Sequence, residues 1–261
     1  MASLVWGCCR LIGAMPHWLR YYVLQDTIYF IVYKCLRYRV GVVTENLRNS
    51  FPAMSDDDCR RRVRVKNLDE VLSDLRGRDA LLSTAHFGCW EYDSFLALYT
   101  GEHYLAAVYH PLENKVIDAV YMRLRRRRNI RLIPMKEIIR YYIDHRLPAG
   151  APGQRIGIGL IADQNPPLRP NSHWFRFLNQ DTVFFDGIEK MALKFHMPVY
   201  FCRQRRLRRG YYELEFLRLY DGVEQVAPNE VTERYVRQLE SDIVADPGMW
   251  LWSHRRWKHR R

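Results

Sequence analysis

The chain has 261 residues, 48% of them apolar, with 17 Tyr, 11 Phe and 7 Trp, which is enough apolar material for one well-filled core and excludes disorder except at the ends. A formal charge of +12 demands an anionic partner: nucleic acid, phospholipid headgroups, or an acidic protein together with a phosphorylated lipid. The six cysteines, Cys8, Cys9, Cys35, Cys59, Cys89 and Cys202, make no CxxC pair and no Cys/His array of zinc spacing, so the sequence calls for no metal and no disulfide framework and fits a reducing compartment.

Two apolar, aromatic stretches open the chain at 2–16 and 22–36. Arg10, Arg20, Asp26 and Lys34 interrupt them before either reaches the roughly 18–20 clean residues of a spanning helix. They read as membrane-interfacial helices in an appendage over residues 1–40, with one domain following over 41–261. The first stretch has no basic start and no small-residue cleavage site, which disfavours a signal peptide.

Pro52 and Ser55 then punctuate the chain, and the aspartates at 56–58 suit the first turn of a helix starting at Ser55. Leu68, Val71, Leu72 and Leu75 recur at helical spacing, and Gly77 can end that helix. Residues 80–84 form a short, largely apolar run and predict a buried strand. A turn at 86–88 and a helix over 90–99 follow. Strands are predicted at 104–109, 130–133 and 156–162, alternating with helices at 114–127 and 136–145. A helix over 187–195, strands at 199–204 and 212–219, and a helix from about 229 with Tyr235, Leu239 and Ile243 on one face complete the chain. The fold class is α/β, a mixed sheet flanked by helices.

The sharpest local signal is HFGCWE at 86–91, placed where a buried strand ends and a helix opens. His86 suits a general base. Glu91, five residues on across a turn containing Gly88, can accept the Nδ1 proton, fix the tautomer and support the imidazolium. No enzyme nucleophile is needed if the acceptor brings its own hydroxyl. From spacing alone a structural histidine at a turn remains the commoner outcome.

HFGCWE resembles the HxxxxE signature of the lipid A biosynthesis (lauroyl/myristoyl) acyltransferases, relatives of the HxxxxD glycerolipid acyltransferases. The resemblance continues in order along the chain: NLRNSFP at 46–52, YHPLEN at 109–114, ADQ at 162–164, FFDG at 184–187 and WLWSHRRWK at 250–258. It implies a glycerolipid-acyltransferase-like fold over 41–261 at the cytoplasmic face of the inner membrane. The implied donor is an acyl-carrier-protein thioester, with acyl-CoA as the alternative co-substrate, and no cofactor or metal is required. The implied acceptor is a phosphorylated lipid A precursor. By carry-over His86 deprotonates the acceptor hydroxyl, Glu91 orients and charges it, and backbone N–H groups near Gly88 stabilise the oxyanion. Two departures from the family pattern stand out: Cys89 replaces the more usual Asn, and a helical stretch of the family is absent between residues 58 and 64.

The basic clusters at 123–131 and 203–209 suit phosphate or headgroup binding, the first on a helix and the turn after it, the second between two strands. Arg123 and Arg126 are taken as substrate-binding, together with Asp163 and Gln164 at a strand's C-terminal edge and Arg256 near the chain's end. Trp250, Trp252 and Trp257 serve as headgroup-level anchors or as core. Competing readings are an acyltransferase for a lysophospholipid or aminoacyl lipid, and a degenerate homologue that binds lipid without turnover. Nucleic acid is disfavoured as a partner because it leaves the His86–Glu91 turn without a purpose.

Overall fold

The computed structural model describes residues 63–91, 93, 103–112, 115, 118, 119, 122, 125, 129–254 and 256–259, with isolated positions at 15, 16 and 19. The expected interfacial helices, the helix from Ser55, most of the helices expected at 90–99 and 114–127, Arg123, Arg126 and the region of the apparent deletion lie outside them. Among the described residues no helix is long and apolar enough to cross a membrane.

The described chain runs β1 (Val63–Val65), α1 (Leu68–Asp74), β2 (Ala80–Thr84), β3 (His103–Tyr109), β4 (Ile130–Pro134), α2 (Ile138–His145), β5 (Arg155–Ile161), β6 (Trp174–Phe177), β7 (Gln180–Val183), α3 (Gly187–Phe195), β8 (Val199–Arg208), β9 (Tyr211–Tyr220) and α4 (Glu230–Ala245). Seven strands form one sheet in the order β1-β9-β8-β2-β5-β3-β4. Every pairing is parallel except β8 with β9. A mixed α/β fold with helices flanking a mostly parallel sheet is therefore present. The central strands β2 and β5 read as apolar runs because parallel strands are covered on both faces.

The two faces are packed differently. On one, α2, α3 and α4 cover Leu81, Ala106, Ile156, Ile158, Val199 and Phe201, and the cluster includes Tyr235, Leu239 and Ile243 of α4. On the other, α1 sets Val71 and Leu75 against Ala80, Tyr200, Leu214 and Phe216. Asn67 secures α1: its amide donates to Phe216 O at 2.8 Å, and its carbonyl accepts Phe216 N–H at 2.9 Å. Gly77, at φ +72, lets the chain leave α1 in a left-handed turn that other residues rarely adopt.

Two departures from expectation concern β structure. The hairpin β6–β7 stands as a separate antiparallel pair, turned by Leu178 at φ 48 and Asn179 at φ 63. The arginine run at 203–209 does not occupy a connection. Arg203 to Arg208 belong to β8, and the turn is made at Gly210, φ +79. Beyond Phe201, the described pairing of β8 is with β9 alone, so the ribbon projects past the C-terminal end of β2 with Arg205, Arg206, Leu207 and Arg208 exposed.

Candidate active site

Sheet register assembles the site. Thr84 of β2 pairs with Ile161 of β5, so two residues past the paired ends the chain presents His86 on one strand and Asp163 on its neighbour. The C-terminal ends of adjacent parallel strands are where such folds gather functional groups. His86 Nδ1 lies 2.7 Å from Asp163 Oδ1. Trp250 Nε1 donates to the other carboxylate oxygen at 3.0 Å. Burial pushes the Asp163 carboxyl up, but the charge of His86 and the hydrogen bonds from His86 and Trp250 outweigh it and hold the group below its ordinary value. A buried carboxylate accepts only, so Nδ1 carries the proton of that bond, and in the neutral ring the lone pair lies on Nε2. The Gln164 amide nitrogen stands 3.2 Å from that Nε2 and donates to it.

This corrects the expected partner of the base: the acceptor of the Nδ1 proton is Asp163. Glu91 instead receives Arg125, with Nε donating to Oε2 at 2.9 Å and a terminal nitrogen to Oε1 in a two-pronged pair. Arg125 sits within the basic cluster from which Arg123 and Arg126 were singled out. Its place beside Glu91, 34 positions away, is tertiary and has no local signature in the sequence.

The His86 turn is clamped by the chain's end. Gly88 N–H donates to Met249 O at 2.9 Å, and Leu251 N–H donates to His86 O at 3.2 Å. Phe87 and Trp250 form an antiparallel bridge. Cys89 N–H donates to the Gln204 side chain at 2.8 Å. The N–H groups of Gly88 and Cys89 are thus committed, and the oxyanion role expected for this backbone is corrected. Gly88 has a different necessity: at φ +63, a Cβ would stand 2.6 Å from Met249 Cε and 2.8 Å from Gln204 Oε1.

Arg256 is buried at 3% exposure. It donates to Asn165 Oδ1 at 2.7 Å and Val183 O at 2.6 Å, stacks over Phe184, and is pulled down to about 10 by burial. It ties the tail to the strand ends and is buried among them, a structural setting in place of the exposed substrate contact expected of it. Trp250 is core, Trp257 donates to Thr182 Oγ1 at 2.9 Å, and Trp252 is exposed. The sequence offers Trp250 only as anchor or packing. Its hydrogen bond to Asp163 follows from tertiary placement and has no local signature.

Next to the turn, an apolar pocket of about 100 Å³, open to solvent, runs over the sheet face opposite α4. Leu82, Leu105, Ile130, Leu132 and Gly159 form its floor, and Thr84, Trp90, Glu91, Asp93 and Arg125 line its polar end. The Trp90 ring meets His86 edge-on at 5.2 Å between centroids, so histidine and pocket share a wall. The arrangement offers an oriented imidazole base beside a slot for something long and apolar.

The family model of the bacterial lipid A biosynthesis acyltransferases matches residues 48–259. The chain belongs to that family. No curated protein matches the sequence. Membership makes this chain a transferase of acyl groups with a lipid acceptor. Among its described residues, no group of three or more His, Cys, Asp and Glu side chains is placed to hold a metal ion.

Proposed function

We propose that this acyltransferase moves a fatty acyl group from a thioester donor, carried on acyl-carrier protein, to a hydroxyl of a phosphorylated lipid A precursor at the cytoplasmic face of the inner membrane. The observation that carries the reading is the chain Asp163–His86–Gln164 set beside the apolar pocket. The acceptor hydroxyl replaces the Gln164 amide at Nε2 and gives its proton to His86 as its oxygen attacks the thioester carbonyl. Asp163 steadies the imidazolium that forms. The tetrahedral intermediate then collapses with loss of the thiolate, which takes the proton back from His86, leaving an ester and a free thiol. With the Gly88 and Cys89 N–H groups engaged, the displaced Gln164 amide is assigned to the oxyanion. Glu91 keeps a site role by holding Arg125 at the pocket's polar end, where the pair meets the polar part of a substrate.

The exposed arginines Arg205, Arg206 and Arg208 lie beyond the end of the sheet that carries His86, and they support an anionic acceptor or surface on that side.

The test is transfer of a labelled acyl group from the carrier-protein thioester to a Kdo-bearing lipid A precursor and, in parallel, to a total lipid extract. His86→Ala should lose about 10²–10⁴ in rate, and Asp163→Asn about 10² or more with the KM for the thioester little changed. Transfer to other lipids but not the precursor would move the acceptor assignment. An Asp163→Asn enzyme of normal rate would remove Asp163 from the mechanism.

A further inference from the structure

Gln204 is the one uncharged polar residue of the arginine-rich segment 203–209, and it is buried at 3% exposure. Strand alternation explains its direction: Cys202 and Gln204 face the sheet's interior side, while Arg203 and Arg205 are partly or fully exposed. Its three hydrogen bonds reach across 111 to 115 positions to the segment that follows His86. Oε1 accepts Cys89 N–H at 2.8 Å, Nε2 donates to Cys89 O at 3.1 Å, and the same Nε2 donates to Asp93 Oδ1 at 2.6 Å. The second oxygen of Asp93 accepts the Thr84 hydroxyl at 2.8 Å. Thr84 stands two residues before His86 and Asp93 seven after it, so the ring Thr84–Asp93–Gln204–Cys89 encloses the segment 84–93 from both ends.

We propose that Gln204 is a positioning residue for the acyl-transfer reaction: it sets the peptide of Cys89, and through it the placement of His86 and Glu91 against the pocket. The chemistry requires an amide of this length. One group must accept an N–H and donate to the C=O of the same residue, and a carboxylate or an ammonium can do only one of these. The fit is also steric, because Gln204 Oε1 approaches so closely that a Cβ at position 88 would lie 2.8 Å from it. The role is distinct from that of the tail, which holds Gly88 N–H and His86 O from the other side.

This inference rests on the acyl-transfer reading, and the experiment separates the two. Gln204→Glu keeps the acceptor for Cys89 N–H, removes both donated bonds and sets a second carboxylate against Asp93. We expect kcat for acyl transfer to fall by about 10–100-fold, with KM for the thioester within about threefold, the scale of a misplaced reacting group. The double variant Asp93→Asn, Gln204→Glu removes the opposed carboxylates and restores a donated bond between the two side chains, but not the one to Cys89 O, so it should recover part of the lost rate. Amide hydrogen exchange provides a readout independent of turnover. Residues 88–90 should exchange faster in Gln204→Glu, while α4 keeps its protection, whereas general destabilisation would speed both.

A Gln204→Glu enzyme with normal kcat, or a double variant no better than the single one, overturns the proposal. Should the wild type transfer nothing, the functional reading fails, and exchange at 88–90 then decides the clamp by itself: unchanged exchange in Gln204→Glu overturns it.

Discussion

The two faces of the central sheet are built for different purposes. The face under α2, α3 and α4 is filled: Leu81, Ile156, Ile158, Val199, Val236 and Leu239 are essentially inaccessible, and rings such as Phe177, Phe184 and Trp250 pack edge to face. Among the described residues the opposite face carries the α1 cluster and a smaller one around Leu105 and Ile130. Beyond α1 the same strands present Ala107 and Gly159 under an open pocket and place a buried acid, Asp93, at its end. A packed face contributes stability in proportion to the apolar area it removes from water, whereas a face kept open for a ligand gives up that contribution. Stability and activity should therefore respond separately to changes on the two sides.

The largest expected effect on stability belongs to the filled face. Leu239→Ala leaves a cavity among Tyr235, Val236 and Ile243 and should cost about 2–5 kcal/mol in urea unfolding, with the rate per folded molecule nearly unchanged. An equally large loss of rate per folded molecule would erase the contrast between the faces.

The next effect is a pH dependence from the open face. Burial drives the Asp93 carboxyl up to about 7, despite the lowering by Gln204 and Thr84 and with a further rise from Glu91. A group whose folded-state value is raised binds its proton more tightly in the folded protein. The associated stability is thus fully present below the unfolded value near 4 and is lost as pH rises through about 7. Wild type should lose on the order of 2 kcal/mol from this site between pH 5 and 8. Asp93→Asn should flatten that part of the profile, and a profile that stays the same in the variant would place the acid in a better solvated setting.

The same contrast explains what the sequence makes legible. Filled surfaces leave periodic traces: the apolar run at 80–84 and the stripe Tyr235, Leu239, Ile243 lead directly to β2 and α4. His86 is legible as well, because a strand end, a turn glycine and a carboxylate lie in one hexapeptide. Its true partner is not, since Asp163 is 77 positions away and becomes a neighbour only through the β2–β5 register. Sheet order has no local code. The ribbon of β8 also escapes notice as strand, because Arg205 to Arg208 meet water and show no alternation of apolar and polar residues. The β6–β7 turn has no glycine to announce it, with Leu178 and Asn179 both taking left-handed backbone. Gln204 reads as one more polar residue in a basic run until the packing of β8 against the turn shows where it points.

The smallest expected effect is the most specific to the open face. Gly159 lies on the pocket floor, and a Cβ there would come to 3.3 Å from Leu105 Cδ1 and 4.0 Å from Ala107 Cα. Gly159→Val therefore raises the floor between Leu105 and Ile161 without entering the filled core on the other side of β5. If the pocket takes the acyl chain, long chains lose contact first. The ratio of kcat/KM for long over short acyl donors should fall by about tenfold, roughly 1.4 kcal/mol, the scale on which a pocket discriminates methylene groups. Competition between two labelled thioesters of different length measures that ratio directly. A uniform fall for both donors would mean that the floor of the pocket is structural and that the acyl chain lies elsewhere.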